Sequence, residues 1–112
     1  MAALNAIPVT TLGGVADLAA AAVAAAGGGD TAPVGPGHVL YVSNADASAH
    51  TVTLATPGTV DGHAIADATL VVAAGKSGLI PLTTLFRGAT GRASLTYDGV
   101  TALKVAVLKI GA

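Results

Sequence analysis

The 112-residue sequence contains no cysteine, tryptophan or glutamate, and only one phenylalanine and two tyrosines. The absence of cysteine excludes disulfides, thiolate metal sites and cysteine catalysis. Charged residues make up 10% of the chain, against about 25% in typical soluble domains. The few basic residues are scattered through the second half of the chain. With neither a basic patch nor aromatic stacking residues, we expect no nucleic-acid partner.

Apolar residues account for 53% of the sequence, and most of them are Ala, Val and Leu. A surface with so few charges favours contact with a partner or with further copies of the chain. Residues 12–29 carry one charge, Asp17, but Ala and Gly insert poorly into membranes. Residues 1–29 also lack the basic residues of a secretory signal. We therefore expect neither a membrane span nor a signal peptide.

The residue composition of the chain changes near residue 37. Residues 1–37 are rich in Ala, Gly and Pro, which predicts an N-terminal arm and linker, whereas residues 38–112 predict a β domain. The only candidate helix is Ala16–Ala26, and the alternative is an extended arm lying on another surface. Residues 30–37 read as a linker because Pro33 and Pro36 exclude a regular helix.

The β domain has short polar–apolar alternations separated by turn signals such as Pro57-Gly58 and Asp98-Gly99. Six strands are predicted: His38–Asn44, His50–Thr56, Thr69–Ala73, Gly78–Thr83, Arg92–Tyr97 and Leu103–Ile110. The connections are too short for crossover helices. The predicted fold is therefore all-β, a small antiparallel β-sandwich or barrel of about six strands, with an Ala/Gly-rich arm.

Candidate metal ligands do not form a recognisable pattern. The spacing of His38, His50 and His63 matches no zinc motif, so we interpret them as surface residues at strand ends. Asp61 and Asp67 flank one loop, but without Glu or an Asp-x-Asp-x-Asp run they are better explained as turn caps. We expect no metal and no cofactor.

Catalytic motifs are also missing from the sequence. No serine lies in a Gly-x-Ser-x-Gly elbow, and Gly75-Lys76-Ser77 lacks the spaced glycine of a phosphate-binding loop. We therefore expect a protein that is not an enzyme.

Several segments resemble one group of proteins. The residues that carry the resemblance are 50–67 with the Thr-Pro-Gly-Thr-x-Asp-Gly element, 71–75, 80–82, 94–101 and 105–108. Their order is similar to that in small structural proteins from the head gene cluster of tailed phages, particularly those of actinobacteria. Members of this group resemble capsid decoration, or cement, proteins.

The resemblance implies a virion structural protein, made in the host cytoplasm, that binds the capsid exterior. Its partners would be the major capsid protein and copies of itself, often as a homotrimer, and it would bridge capsid subunits. Two apolar sets are the candidate interface. The first is Ala3, Leu4, Ile7, Pro8 and Val9, and the second is Leu79, Ile80, Leu82, Leu85 and Phe86. The second set is equally consistent with an ordinary core.

Other functions remain open at this point. A head–tail connector or tail component would be the same class of object in fewer copies. A carbohydrate- or cell-surface-binding β-sandwich belongs to another class, although sugar sites usually use aromatic platforms, which are scarce here. A hydrolase would need the catalytic groupings that the sequence lacks.

Overall fold

A computed structural model describes residues 2–11, 13–16, 18–88 and 90–110 of the chain. The described residues form two packed β-sheets with extents of 44 × 35 × 21 Å. The short dimension matches two sheets stacked about 10 Å apart with side chains on both outer faces. The prediction of an all-β sandwich is confirmed.

Twelve strands and one short helix make up the regular structure of the described residues. In chain order they are β1 (Ala2–Ala3), β2 (Ala6–Val9), α1 (Leu18–Ala21), β3 (Val23–Ala24), β4 (Asp30–Ala32), β5 (His38–Asn44), β6 (His50–Leu54), β7 (Thr59–Val60), β8 (His63–Ala64), β9 (Ala68–Val72), β10 (Ser77–Pro81), β11 (Ala93–Tyr97) and β12 (Leu103–Ile110). A 3-10 turn, Thr84–Phe86, follows β10.

The strands form two main sheets. Sheet A has the order β1-β4-β11-β6-β9. Sheet B has the order β10-β5-β12-β2, and β3 also pairs with β12. Pairing is antiparallel except between β1 and β4 and between β12 and β2. Strands β7 and β8 form a separate two-stranded hairpin.

Alternation of side chains explains how the two sheets meet. In β6, His50, Val52 and Leu54 are buried while the two threonines between them are half-buried on the outer side. In β5, Leu40 and Val42 point inward in the same way. Strands with this period have one face in the core and one at the surface. All six strands predicted from the sequence are present, with ends within two residues of the predicted ones.

The N-terminal region differs from the predicted arm and linker. Strands β1 and β4 join sheet A, and β2 and β3 join sheet B, so the segment before residue 38 contributes to both sheets. Leu4 lies in the core with 5% of its surface exposed. The pairing partners are distant in sequence, and no local pattern in an Ala/Gly-rich stretch indicates them.

The predicted helix over Ala16–Ala26 is reduced to the single turn Leu18–Ala21, and Val23–Ala24 is a strand. Alanine propensity is too weak to hold a short helix against strand pairing. The predicted linker also begins with a strand, because Asp30–Ala32 pairs with β11. Gly29 permits this approach, since it has φ +91° and a Cβ there would lie 2.5 Å from the Leu95 carbonyl oxygen.

Candidate functional site

Two buried polar side chains, Asn44 and His50, lie at one end of the sandwich, where β5 ends and β6 begins. Asn44 is 1% exposed at the end of β5. Its side-chain amide donates to the carbonyl oxygens of Ser48 at 2.8 Å and Val72 at 3.0 Å, and its Oδ1 accepts from the Asp46 amide at 3.0 Å. Asn44 therefore holds the β5–β6 loop and joins it to sheet A.

His50 lies beside this loop and is 7% exposed. Its Nε2 is 2.8 Å from Asp46 Oδ2, and its Nδ1 is 3.1 Å from Asp98 Oδ1. Asp98 Oδ1 also accepts from the Thr51 amide at 3.0 Å. The expectation that His50 is a surface residue is wrong. The histidine instead bridges the β5–β6 loop to the turn after β11.

The two carboxylates stabilise the charged imidazole. Hydrogen bonds to Asp46 first, and then to Asp98, raise the pKa of His50 above its usual value of 6.5. The same hydrogen bond to His50 lowers the pKa of Asp46. The pKa of Asp98 is lowered mainly by the Thr51 amide and then by His50. We call Asp46, His50 and Asp98 the histidine bridge.

The geometry of the histidine bridge fits a role in joining loops better than a role in catalysis or metal binding. Both ring nitrogens of His50 face carboxylate oxygens, so the protonated ring presents no free nitrogen lone pair to a substrate or a metal. Among the described residues, no group of three or more His, Asp or Glu side chains is arranged to hold a metal ion. The arrangement ties loops together.

The other singled-out polar residues are separated from one another. His63 is exposed in β8, and His38 is half-buried at the start of β5. Asp67 accepts from the Thr56 amide at 2.9 Å, which is the capping role predicted for it. Asp61 occupies a turn with φ 51°. The structure therefore does not bring the histidines together.

A second polar network anchors the N-terminal strands. The Tyr97 hydroxyl donates to Oδ2 of the buried Asp30 at 2.7 Å. Burial, and then this contact with Asp30, raises the pKa of Tyr97. The Arg92 guanidinium donates to the carbonyl oxygens of Leu4 and Thr31. These contacts connect β1 and β4 to β11, and the sequence alone provided no signal for them.

The two outer faces of the sandwich differ in chemistry. The outward strand positions of sheet A carry mostly hydroxyl side chains, namely Thr31, Thr51, Thr53, Thr69, Ser94 and Thr96, together with Val71. Adjacent strands align these residues, for example Thr53 with both Thr69 and Thr96. This face is suited to contact with water.

The outward positions of sheet B are mainly apolar. Strand register aligns Leu79 with Tyr41 and Ala106, and Pro81 with Val39, Leu108 and Ile7. Leu79 is 56% exposed and Ile110, aligned with Val9, is 53% exposed. A shallow cavity of about 400 Å³ lies here between Leu18, Tyr41, Leu79 and Leu108. Ala106 and Leu108 are only 4% and 6% exposed, so the chain itself covers the middle strand of this side. We call the part that stays accessible the apolar face; it consists of Ile7, Val9, Val39, Tyr41, Leu79, Pro81 and Ile110.

The structure divides the predicted interface residues into three groups. Leu4, Leu82 and Phe86 are buried in the core, and Ile80 packs against it, so the chain itself covers them. Ile7, Val9 and Leu79 lie on the apolar face, which brings members of the N-terminal and C-terminal sets onto one surface. The remaining three, Ala3, Pro8 and Leu85, are exposed elsewhere.

No family model, no curated protein and no solved structure matches this chain. No helix among the described residues is long and apolar enough to cross a membrane.

Proposed function

We propose that the protein is a virion structural protein, a capsid decoration protein that binds the outer shell of a tailed phage through its apolar face. The observation that carries the proposal is the contrast between the two sheets. Sheet A presents hydroxyl groups, whereas sheet B presents apolar side chains at its accessible positions, with Leu79 and Ile110 more than half exposed. Extended apolar patches on soluble proteins commonly mark interaction sites.

The charge distribution supports contact with a partner on this side. Among the strand residues on the outer side of sheet B, the one charged residue is Lys104, aligned with Ser43 and Ser77 at the margin. An apolar centre with a polar rim is the usual anatomy of a protein interface. The major capsid protein is the partner that the sequence resemblance implies.

The polar residues support a structural role over a chemical one. The two ring nitrogens of His50 and the side chain of Asn44 are engaged with the chain's own loops. Of the aromatic residues, Phe86 is buried and the Tyr97 hydroxyl binds Asp30, which leaves Tyr41 on a surface. A sugar-binding platform of several aromatic rings is therefore not favoured.

Binding of many copies would stiffen a shell even if each copy binds weakly. Burial of apolar surface contributes on the order of 25 cal/mol per Å² before the free energy of association is subtracted. A protein that bridges neighbouring capsid subunits adds this contribution at every seam that it covers. In the proposed mechanism the binding free energies of the copies add up, and no copy needs to carry out a chemical reaction.

The proposal is tested first by copy number in purified virions, measured by quantitative mass spectrometry against the major capsid protein. A decoration protein is expected in hundreds of copies, near one for each capsid subunit. A count near a dozen or below would assign the chain to the connector or tail. Absence from the virion would refute the structural proposal.

The docking surface is tested with shells that lack the protein, to which purified variants are added back. Leu79→Lys places a charge on a residue of the apolar face that is 56% exposed, and it is expected to abolish binding. Thr96→Lys places the same charge on an exposed position of sheet A and is the matched control. Equal binding of the two variants would exclude the apolar face as the docking surface.

A further inference from the structure

The edge strands of the two sheets differ in how well they are protected against pairing with another chain. Strand β1 has two residues, β3 has two, and β2 contains Pro8. Strand β10 ends at Pro81, which has no amide hydrogen to donate. Strand β9, Ala68–Val72, has five residues without a proline or a charge and pairs only with β6 in the described part of the chain.

The hydrogen-bond pattern of sheet A shows which groups of β9 are unpaired. The Ala55 amide donates to the Ser94 carbonyl, and the Asp98 amide donates to the Thr51 carbonyl. The odd-numbered residues of β6 therefore bond to β11, and the even-numbered ones bond to β9. Their partners in β9 are Ala68, Leu70 and Val72. The amide and carbonyl groups of Thr69 and Val71 consequently point to the free margin.

The side chains leave this margin open. Val71 is 65% exposed and Thr69 is exposed, so neither side chain is covered by the described residues. Native proteins usually protect such a strand with lysine, proline or a bulge, because its unpaired groups can bond to another chain. A strand of five uncharged residues that lacks these devices is suited to pairing.

We propose that β9 pairs with β9 of a second copy of this chain, antiparallel and centred on Leu70. In this register Thr69 lies opposite Val71 of the other copy, and the four free amide and carbonyl groups of each copy meet their complements. Of the antiparallel registers, the one centred on Leu70 places both residues with unpaired amide and carbonyl groups, Thr69 and Val71, opposite each other. In this register every unpaired backbone group within β9 finds a partner in the second copy.

The inner side of the strand supports the same register. Leu70 is half-buried and packs near Gly78, where an added Cβ would lie 3.5 Å from the Leu70 side chain. Leu70 thus lies at the open side of the sandwich, between β9 and β10. Pairing about Leu70 would place the two leucines opposite each other and remove both from water.

The contact is two-fold and closes after two copies. It therefore gives a dimer in solution and is separate from any threefold arrangement on a shell. It also uses the margin of sheet A, whereas the proposed docking surface is the outer side of sheet B. A contact of one strand pair is small, so we expect a dimer that dissociates on dilution.

The first test is sedimentation equilibrium of the purified chain over a range of concentrations, with no shells present. Val71→Lys is expected to weaken dimerisation about tenfold, because two cross-strand pairs are lost and each lysine protects the margin. Leu79→Lys is the matched control, since Leu79 is an apolar residue of β10 that is 56% exposed, against 65% for Val71, and its substitution should leave the dimer unchanged. Circular dichroism checks that both variants are folded.

The second test examines the register of the β9–β9 pair by disulfide cross-linking. Because the chain has no cysteine of its own, an introduced cysteine can cross-link only to its counterpart in another copy. Residues opposite each other at a non-hydrogen-bonded pair have Cα atoms about 4.5 Å apart, which a disulfide can span. Leu70→Cys should therefore form a covalent dimer under mild oxidation, and Thr69→Cys should do so far more slowly.

Three results would overturn the proposal. The first is a wild-type protein that stays monomeric at every concentration. The second is a dimer weakened by Leu79→Lys and not by Val71→Lys, which would place the contact on the apolar face. The third is faster cross-linking of Thr69→Cys than of Leu70→Cys. None of these results depends on binding to a shell, so the dimer and the decoration role fail separately.

Discussion

Two buried polar residues, Asn44 and His50, connect loops at one end of the sandwich that are far apart in the sequence. Asn44 lies 28 positions from Val72, and His50 lies 48 positions from Asp98. Buried polar groups need partners of this kind, because an unpaired one costs about 1–3 kcal/mol. These contacts set the spacing between β5, β9 and β11 at that end.

The histidine bridge predicts a dependence of stability on pH. Because the pKa of His50 is raised, its contribution is fully present below the unfolded value of 6.5 and is lost as pH rises through the folded pKa. The lowered pKa values of Asp46 and Asp98 make their contribution present above 3.8 and lost as pH falls through the folded values. The bridge is therefore strongest between these limits.

His50→Gln removes the titrating ring and should flatten this profile. The free energy of unfolding from urea titrations should differ most between wild type and variant near pH 5 to 6, and the difference should shrink as pH rises. His63→Gln, at an exposed position of β8, is the control and should keep the wild-type profile. If the free energy of unfolding had the same pH dependence in wild type and His50→Gln, a protonated His50 would not stabilise the fold.

These residues were difficult to find from sequence because their partners are set by strand register. The spacing of His38, His50 and His63 indicated no metal site, and the structure keeps them apart. The same spacing contained no indication that His50 is buried between carboxylates. A histidine flanked by turn aspartates is common at surfaces, and only the fold brings Asp98 to within 3.1 Å of it.

At the scale of elements, alternation of polar and apolar residues was a sufficient signal for strands with one face toward solvent, such as His50–Leu54 and Ala93–Tyr97. Leu103–Ile110 also has the predicted bounds, but it was predicted from its apolar run, and most of it is buried. The strands at the N-terminus are too short to alternate, and β2 pairs in parallel with β12, about a hundred residues away. Ala- and Gly-rich composition indicated a helix or an arm, but tertiary pairing overrode that propensity.

The integration of the N-terminus predicts that it stabilises the sandwich. Leu4 is 5% exposed, and its carbonyl oxygen accepts from Arg92, so Leu4→Ala should lower the free energy of unfolding by about 2–5 kcal/mol. Asn5→Ala, at the adjacent exposed position, should change it by less than about 0.5 kcal/mol. Chemical denaturation of the two variants measures both.

An unchanged free energy of unfolding for Leu4→Ala would show that the Leu4 side chain is not held in the core. Deleting residues 1–14 is, for the same reason, a poor test of docking to a shell. The deletion removes β1 and β2 and with them a pairing partner of each sheet. A loss of binding would then reflect a damaged sandwich.

At the scale of the whole molecule, the charges are few and the two outer faces are unequal. A sequence pI of about 6.2 places the point of lowest net charge near neutral pH. Self-repulsion is then weakest, and apolar surface has the largest effect on association. The hydroxyl face of sheet A and the apolar face of sheet B should contribute very differently to solubility.

This difference can be measured with two variants of equal charge. Leu79→Lys with Ile110→Lys adds two charges to the apolar face, and Ser94→Lys with Thr96→Lys adds two to sheet A. Both change the net charge from −1 to +1, so any shared effect comes from charge alone. We expect the first variant to be the more soluble near pH 6 by turbidity and by light scattering, because it also removes exposed apolar surface. Equal solubility would mean that the apolar face is not what drives association.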